Sequence, residues 1–340
     1  ILVNGYEKVY VEKNGLLKQT PVQFRDNNHL MQIIDKIVST VGRRIDESSP
    51  MVDARLPDGS RVNVIIPPLA LDGPILSIRK FGQKPLAAEN LLDKQALTPE
   101  MMEFLQGSIK SKLNILISGG TGAGKTTLLN ILSGYIPGTE RIITIEDSSE
   151  LRLGQPHVVR LESRPPNIEG KGAVSLTDLV KNSLRMRPDR IIVGEARGAE
   201  VMDMLQAMNT GHQGSMSTIH ANSPNDALSR MEVMLSMGTS QFSELAMRAL
   251  IASAINIIVQ LARLADGTRR IVSVSEVTGI DENYKMKLQD IFIFEQKGID
   301  EDGRIYGAFT STGLESRFTE HLRSYGIELS PEIFNFVKEI

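Results

Sequence analysis

Residues 119–126 carry the pattern G-x-x-x-x-G-K-T, which constrains the possible folds more than any other feature of the sequence. An apolar run precedes it at 114–118, and a helical pattern follows at 127–132, so the pattern stands between a predicted strand and a predicted helix. In that context the backbone N–H groups and the start of the helix bind phosphate. We therefore predict nucleotide binding by Gly119, Gly120, Thr121, Gly122, Ala123, Gly124, Lys125, Thr126 and Thr127.

Two side chains of this phosphate loop (residues 119–126) have separate expected roles. Lys125 is expected to reach the β- and γ-phosphates of ATP, and Thr126 is expected to ligate Mg²⁺. The alternative is a glycine-rich turn without a ligand, which the flanking strand and helix disfavour.

Length and composition limit the remaining possibilities. A chain of 340 residues predicts two domains. It has no cysteine, which excludes disulfides, thiolate zinc sites and cysteine nucleophiles, and its net charge of −3 predicts no overall attraction to nucleic acid.

The most apolar stretch, 249–261, is too short and polar to span a bilayer, so we expect a soluble chain. Because it begins with Ile1, we expect that a preceding segment is absent from it.

Two regions with different patterns predict the domain organisation. Residues 1–82 mix strand and helix signals and are expected to form a small α+β domain. Residues 99–340 repeat strand and helix, which indicates an α/β fold with a parallel sheet, followed by a β-rich appendage and a short terminal helix. Residues 83–98 are the expected linker, since proline and glycine cluster at 81–85.

Acidic residues end two predicted strands of the second region. Glu195 and Glu146 each follow an apolar run, and Asp147 comes next to Glu146. Because ligand sites of parallel sheets lie at the carboxyl ends of the strands, we expect Glu195 and Glu146 to reach the phosphate loop as catalytic and metal-binding residues. Gly194 stands where many phosphate-loop enzymes carry an aspartate. The alternative interpretation is that these acids are solvated charges.

Two histidines are further candidates. His220 ends the predicted strand at 214–219, as Glu195 ends its own strand. A neutral imidazole there could donate a hydrogen bond to the γ-phosphate and respond to its loss. We expect His220 to be catalytic and His212 to contact nucleotide, whereas the ordinary alternative for each is a packed or surface histidine.

Arginines of the small domain could supply positive charge to a nucleotide, including one bound by a neighbouring subunit. Arg55, Arg61 and Arg79 lie on its predicted strands. We expect at least one of them to contact nucleotide. The alternative is that they are solvated or form structural ion pairs.

Taken together, the motifs resemble the secretion ATPases of the type II/type IV superfamily over nearly the whole chain. The phosphate loop is similar to their Walker A motif, residues 144–147 to their acidic box, Gly194 and Glu195 to their atypical Walker B motif, and residues 211–221 to their histidine box. Residues 162–167 and 185–190 are most similar to the Tad/Cpa (type IVc) pilus assembly ATPases. The type IV secretion branch is the nearest alternative.

The resemblance implies a PAS-like N-terminal domain, a RecA-like ATPase domain and a hexameric ring that holds ATP or ADP with Mg²⁺. In this family, Glu195 and Glu146 would polarise water and hold Mg²⁺, and His220 would sense the γ-phosphate. Arg79 is the preferred arginine of the N-terminal domain, with Arg55 and Arg61 as alternatives that act on a neighbouring subunit.

The implied activity is hydrolysis of ATP to power pilus assembly, retraction or protein secretion. The implied partners are other copies of the chain in a homo-hexamer and platform proteins of the inner membrane. Through the platform, the chain would be cytoplasmic and peripheral at the cytoplasmic face of the inner membrane.

Other functions remain open from the residues alone. A RecA-like nucleic-acid motor would share the fold, but 5% aromatic residues and the absence of tryptophan disfavour it, so we expect no nucleic-acid partner. A nucleotide-gated switch with slow hydrolysis is a third possibility, and acids and a histidine at strand ends favour turnover over it.

Overall fold

The computed structural model describes residues 1–13, 16–80, 86–166, 171–238 and 242–340. The chain divides into two compact units, Ile1–Lys84 and Pro85–Ile340, and each is described by itself. The proline- and glycine-rich stretch at 81–85 lies outside the described residues, as does Asn167 at the end of the motif at 162–167.

In its described residues, the first unit is an antiparallel six-stranded sheet with one helix. Its elements are β1 (Leu2–Asn4), β2 (Lys8–Lys13), β3 (Leu16–Gln19), α1 (Asn27–Ser39), β4 (Met51–Arg55), β5 (Arg61–Ile65) and β6 (Ile75–Arg79). The strand order is β3-β2-β1-β6-β5-β4. Leu30, Ile34 and Val38 recur every four residues on α1 and are buried, so the helix presents one apolar face to a core that includes Val62 and Val64 of β5.

The second unit contains a ten-stranded sheet. Its strands are β7 (Ile115–Gly119), β8 (Ile142–Glu146), β9 (Val158–Glu162), β10 (Arg190–Val193), β11 (Met216–Ile219), β12 (Ile257–Arg263), β13 (Arg269–Ile280), β14 (Met286–Ile299), β15 (Ile305–Ser311) and β16 (Val337–Glu339). Its helices are α2 (Ala88–Asp93), α3 (Pro99–Lys110), α4 (Lys125–Ser133), α5 (Leu176–Ser183), α6 (Glu200–Asn209), α7 (Pro224–Gly238), α8 (Glu244–Ala254), α9 (Thr319–Ser324) and a 3₁₀ turn (Pro331–Phe334).

The parallel part of this sheet has the order β12-β7-β11-β10-β8-β9. Every residue of β7, β8 and β10 is buried. Helices cover both faces, with α3 and α4 contributing to one core and α6 and α7 to the other. Strands buried on both faces have continuous apolar sequences, which is why these strands could be predicted.

The C-terminal strands differ from the expected appendage. β13, β14, β15 and β16 continue the same sheet as antiparallel strands beyond β12. β12 hydrogen-bonds to the edge of β7, which would otherwise expose its backbone groups. The expected short helix is present as α9 after β15, and the chain continues beyond it through the 3₁₀ turn to β16.

Helix α5 ends at Ser183, and Arg187 adopts a left-handed φ of 56° just before Pro188. One other boundary differs from the sequence-based expectation. The expected linker at 83–98 contains α2, and Leu97 is buried in the core of the second unit.

The apolar stretch at 249–261 divides between α8 and β12. Within the part of the chain that the structure describes, no helix is long and apolar enough to cross a membrane.

A buried arginine connects the amino ends of the parallel strands. Arg190, the first residue of β10, is 0% exposed and pairs with Glu140 through Nε–Oε2 (2.6 Å) and Nη2–Oε1 (3.0 Å). Its Nη1 donates to the carbonyl oxygens of Ile109 (2.7 Å) and Gly214 (3.2 Å). A planar guanidinium can satisfy several acceptors at once, so this residue links β10 to the segments before β8 and β11.

We expect Glu140→Ala to destabilise the second unit by about 3 kcal/mol, because it leaves a buried guanidinium charge uncompensated. Urea denaturation followed by circular dichroism measures this loss. Lys112→Ala is the matched control: Lys112 lies 3.8 Å from the same carboxylate but is partly exposed, and its loss should cost less than about 1 kcal/mol. Equal losses in the two variants would contradict the assigned role of Arg190.

Candidate active site

Parallel pairing brings the carboxyl ends of β7, β8, β10 and β11 to one edge of the sheet. β7 leads directly into the phosphate loop, and Glu146 is the last residue of β8. Glu195 and His220 follow β10 and β11 at the same edge. The structure therefore collects residues from four separate parts of the sequence around one loop.

Lys125 begins helix α4 and points back into the phosphate loop. It is 7% exposed, and its Nζ donates to the carbonyl oxygen of Gly120 (3.1 Å). Nζ also lies 3.4 Å from Nδ1 and 3.3 Å from Nε2 of His220. Burial lowers the pKa of the Lys125 ammonium, and the nearby Glu195 carboxylate offsets part of this effect. Thr126 and Thr127, the next residues of α4, are half-buried.

Glu195 is held by two cationic or polar neighbours. Its Oε1 lies 2.9 Å from Nε2 of His220, and its Oε2 accepts from Nη2 of Arg197 (2.6 Å). Arg197 also lies 3.7 Å from Asp147. Burial lowers the pKa of His220, Glu195 raises it, and Lys125 and Arg197 lower it further. The net lowering of this pKa favours the neutral imidazole. Each oxygen of this carboxylate has a second lone pair, so a metal ion bound to Glu195 would share the carboxylate with these partners.

Glu146 packs against the glycine that precedes Glu195. A Cβ on residue 194 would lie 2.7 Å from Cγ of Glu146, closer than two carbon atoms approach without a bond. Oε1 of Glu146 accepts from the backbone N–H groups of Glu150 (2.8 Å) and Leu151 (3.0 Å). Gly194 therefore replaces the usual aspartate because the space for a side chain is filled by the carboxylate of the neighbouring strand.

The second oxygen of Glu146 fits a cation. Oε2 is buried and has no hydrogen-bond partner among the described residues, and burial raises the pKa of this carboxyl group. Mg²⁺ binds to one or two protein oxygens together with water and phosphate oxygens, so Glu146 and the Thr126 hydroxyl suit a nucleotide-bound Mg²⁺. In the described ranges there is no cluster of three or more His, Cys, Asp or Glu residues that could hold a metal by itself.

His212 does not join this group. It lies in the turn between α6 and β11, at the amino end of β11, whereas His220 follows the carboxyl end. The His212 backbone N–H donates to Ala207 (3.2 Å), and its Nδ1 is buried without a partner in the described part of the chain. Its contact with nucleotide stays a prediction that the geometry of this unit does not support.

The three arginines of the first unit form a row across its sheet. Arg55 of β4 pairs with Arg61 of β5, and Arg61 pairs with Arg79 of β6. Residues paired in this way point to the same face. Arg61 also donates to Asp53 through Nε (3.1 Å to Oδ1) and Nη2 (2.5 Å to Oδ2).

The sequence profile of the family described as "Type II/IV secretion system protein" matches residues 1–306. This chain belongs to that family.

Relatives of this secretion-system protein include PtlH, a type IV secretion system protein of Bordetella pertussis. PtlH is 37% identical over 288 residues, which cover 77% of this chain and 84% of PtlH. The conjugal transfer protein TrbB of Rhizobium radiobacter is 31% identical over 256 residues, 74% of this chain and 75% of TrbB.

Solved structures share its mixed α/β fold. The pilus retraction motor PilT, solved with bound ADP, has a TM-score of 0.57 and 20% identity, and the match covers 85% of this chain and 77% of PilT. The ATPase DotB of Legionella pneumophila also has a TM-score of 0.57, with 21% identity over 83% of this chain and 77% of DotB. At these identities the likeness shows the fold alone.

Two arginines without a role assigned from the sequence touch the site of this secretion-system protein. Arg197 follows Glu195 by two residues, so its contact with Glu195 could have been predicted from their spacing in the sequence. Arg269 donates from Nε to the carbonyl oxygen of Gly122 (2.8 Å) across 147 residues of sequence. No local pattern predicts a contact of that separation.

We expect Glu146→Gln to stabilise the metal-free protein at pH 8 relative to the unchanged chain. A carboxyl pKa raised by folding means that the folded state holds more protons than the unfolded state above pH 4.5, so this group's contribution to stability falls as pH rises through that window. Thermal unfolding in EDTA at pH 8 and pH 5 measures the difference, which should shrink at pH 5. Exposed Glu103→Gln should show no such pH dependence.

Proposed function

We propose that this chain is a Mg²⁺-dependent ATPase motor that hydrolyses ATP to power pilus assembly or protein secretion. The observation that carries the proposal is the series of contacts from Lys125 through His220 to Glu195, at 3.3 Å and 2.9 Å. Nucleotide binding alone needs the lysine, but it does not need an imidazole and a carboxylate in contact beside it. Membership of the type II/IV secretion family supports the same function.

Binding of ATP would use the phosphate loop and the start of α4. Backbone N–H groups would surround the phosphates, and Lys125 would turn from Gly120 and His220 to the β- and γ-phosphates. Thr126 and Glu146 would hold Mg²⁺, which when bound neutralises negative charge on the phosphate oxygens. PilT, which shares the fold, was solved with ADP, and this supports the choice of ligand.

Hydrolysis would depend on Glu195. Its carboxylate would orient a water molecule and accept a proton as the water oxygen attacks the γ-phosphorus. The bond to the β–γ bridging oxygen breaks, and ADP and phosphate leave. Nη2 of Arg197 donates to this carboxylate (2.6 Å) and so helps to fix its orientation beside the phosphate loop.

His220 would sense the γ-phosphate. It contacts Lys125 on one side and Glu195 on the other, so any movement of Lys125 toward phosphate removes one of its neighbours. His220 directly follows β11, and this strand pairs with both β7 and β10. A change in its hydrogen bonds would thus be transmitted to the two strands that carry the phosphate loop and Glu195.

We further propose that six copies assemble into a ring, with a PAS-like first domain and a RecA-like second domain in each. The row of Arg55, Arg61 and Arg79 supports a role in this ring, because it places three guanidinium groups on one face of the sheet and guanidinium groups bind phosphate. Arg79 is our preferred contact to nucleotide, with Arg55 and Arg61 as alternatives that act on a neighbouring subunit.

The partners would be inner-membrane platform proteins, at the cytoplasmic face of the inner membrane, and no nucleic acid. Similarity of the motif at 185–190 to the Tad/Cpa ATPases supports pilus assembly. The 37% identity to PtlH favours a second candidate function, a motor of type IV secretion.

We expect Glu195→Gln to lower the turnover number for ATP at least about 100-fold, because it removes the group that accepts the proton. Nucleotide affinity should change less than about threefold, since the phosphate loop is intact. Phosphate release gives the turnover and fluorescence titration gives the affinity. Exposed Glu315→Gln serves as the charge-matched control, and Lys125→Ala should lose binding itself. Unchanged turnover in Glu195→Gln would refute the mechanism.

A mixing experiment tests action between subunits. We expect Lys125→Ala to be inactive alone, and an arginine variant whose side chain acts between subunits, Arg55→Ala or Arg61→Ala, to be inactive alone as well. A random mixed ring would place an intact arginine against an intact phosphate loop at about one interface in four, so part of the activity should return. Mixtures with no more activity than either variant alone would show that Arg55 and Arg61 do not act between subunits.

A further inference from the structure

The hairpin formed by β12 and β13 (the β12–β13 hairpin) lies beside the phosphate loop. β12 pairs with β7 up to Leu261, which is opposite Gly119 at the start of the loop. The chain then turns back, and Arg269 is the first residue of β13, opposite Arg263 of β12. From this position Nε of Arg269 donates to the carbonyl oxygen of Gly122 (2.8 Å).

The base from which Arg269 extends is firmly held. Oδ1 of Asp266 accepts from N (2.9 Å) and Oγ1 (2.6 Å) of Thr268, and Oδ2 accepts from the backbone N–H of Ile305 on β15 (2.9 Å). The next residue, Arg270, is buried, donates to the carbonyl oxygen of Ile305 (3.0 Å) and lies 4.8 Å from the ring centre of Phe294 on β14. The turn of the hairpin is therefore attached to the C-terminal strands.

The bond from Arg269 fixes the orientation of one peptide group in the loop. The carbonyl of Gly122 accepts from Arg269, while the N–H of Ala123 in the same peptide donates to Gly120 (3.3 Å). In a trans peptide these two groups point in opposite directions, so holding one orients the other. Gly122 has φ of 73° and no side chain to restrict its backbone rotation, so the bond from Arg269 adds a second restraint on this peptide beside the turn bond to Gly120.

We propose that Arg269 is a positioning residue for nucleotide binding, which keeps the phosphate loop in its binding conformation by holding the Gly122 carbonyl. Through this hydrogen bond, the conformation of the phosphate loop depends on the position of the β12–β13 hairpin. It therefore also depends on the position of the C-terminal strands to which the hairpin is attached. The ligand is a nucleoside di- or triphosphate, so the inference deepens the proposed function at the same loop.

The test compares binding of N-methylanthraniloyl-ADP to the full chain and to three variants, with KM and the turnover number for ATP measured alongside. We expect Arg269→Ala to raise both the Kd and KM about tenfold, because it removes a hydrogen bond from a charged donor. The turnover number should change less than about twofold, since the reacting groups are untouched. Arg269→Lys should recover part of the affinity, because it can donate one bond.

Arg263→Ala is the matched control, since it removes the same charge from the opposite strand of the same hairpin. It should change the Kd less than about twofold, because charge alone at an exposed position contributes little. Circular dichroism would verify the fold of each variant, and Arg269 is exposed, so its loss leaves no cavity.

Three results would overturn the inference: an unchanged Kd in Arg269→Ala, an equal rise in Arg263→Ala, or a fall in turnover number without a change in Kd. The first shows that the contact has no role in binding. The second shows that the effect of Arg269 on the Kd comes only from its positive charge. The third shows that Arg269 acts in the hydrolysis step rather than in binding. A chain that binds nucleotide through Arg269 but never hydrolyses ATP would refute the proposed function and leave this inference intact.

Discussion

Parallel pairing of β8 with β10 is the constraint on which the geometry of the site depends. The two strands are connected at both ends: the buried pair of Arg190 and Glu140 joins their amino ends, and Glu146 packs against Gly194 at their carboxyl ends. Because the hydrogen-bonded register fixes which residue stands at the edge, Glu195 can meet His220 of the adjacent strand. Side chains placed by rigid strands keep their mutual distances better than side chains on loops.

Much of this edge could be predicted from the sequence, because strands buried on both faces read as unbroken apolar runs and their next residues share one edge of a parallel sheet. That reasoning is sufficient for Glu195 and His220. It fails for β12, since the apolar stretch at 249–261 contains the end of a helix and the start of a strand, which periodicity cannot separate. The position of Arg269 beside the phosphate loop depends on β12, so it could not be predicted from the sequence either. His212 could not be placed correctly from its closeness to His220 in the sequence. The two histidines are eight residues apart, but β11 lies between them, so they stand at opposite edges of the sheet.

In the first unit, too, contacts between residues close in sequence could be predicted, whereas contacts between distant residues could not. Arg55 and Arg61 flank a turn signal at 57–60, so a hairpin that pairs them is accessible from local sequence. Arg79 joins the row only because β6 pairs with β5 in one particular register. Register of that kind depends on how α1 and the strands bury their apolar faces together, and residue spacing alone does not contain it.

The close approach of Glu146 to Gly194 has a consequence for how such sites diverge. In this chain a side chain at position 194 would enter the volume that the Glu146 side chain already fills, so an aspartate there would require Glu146 to change its conformation or to be replaced by a smaller residue. The two positions are sterically coupled, and a substitution at one of them alters which residues the other can accept.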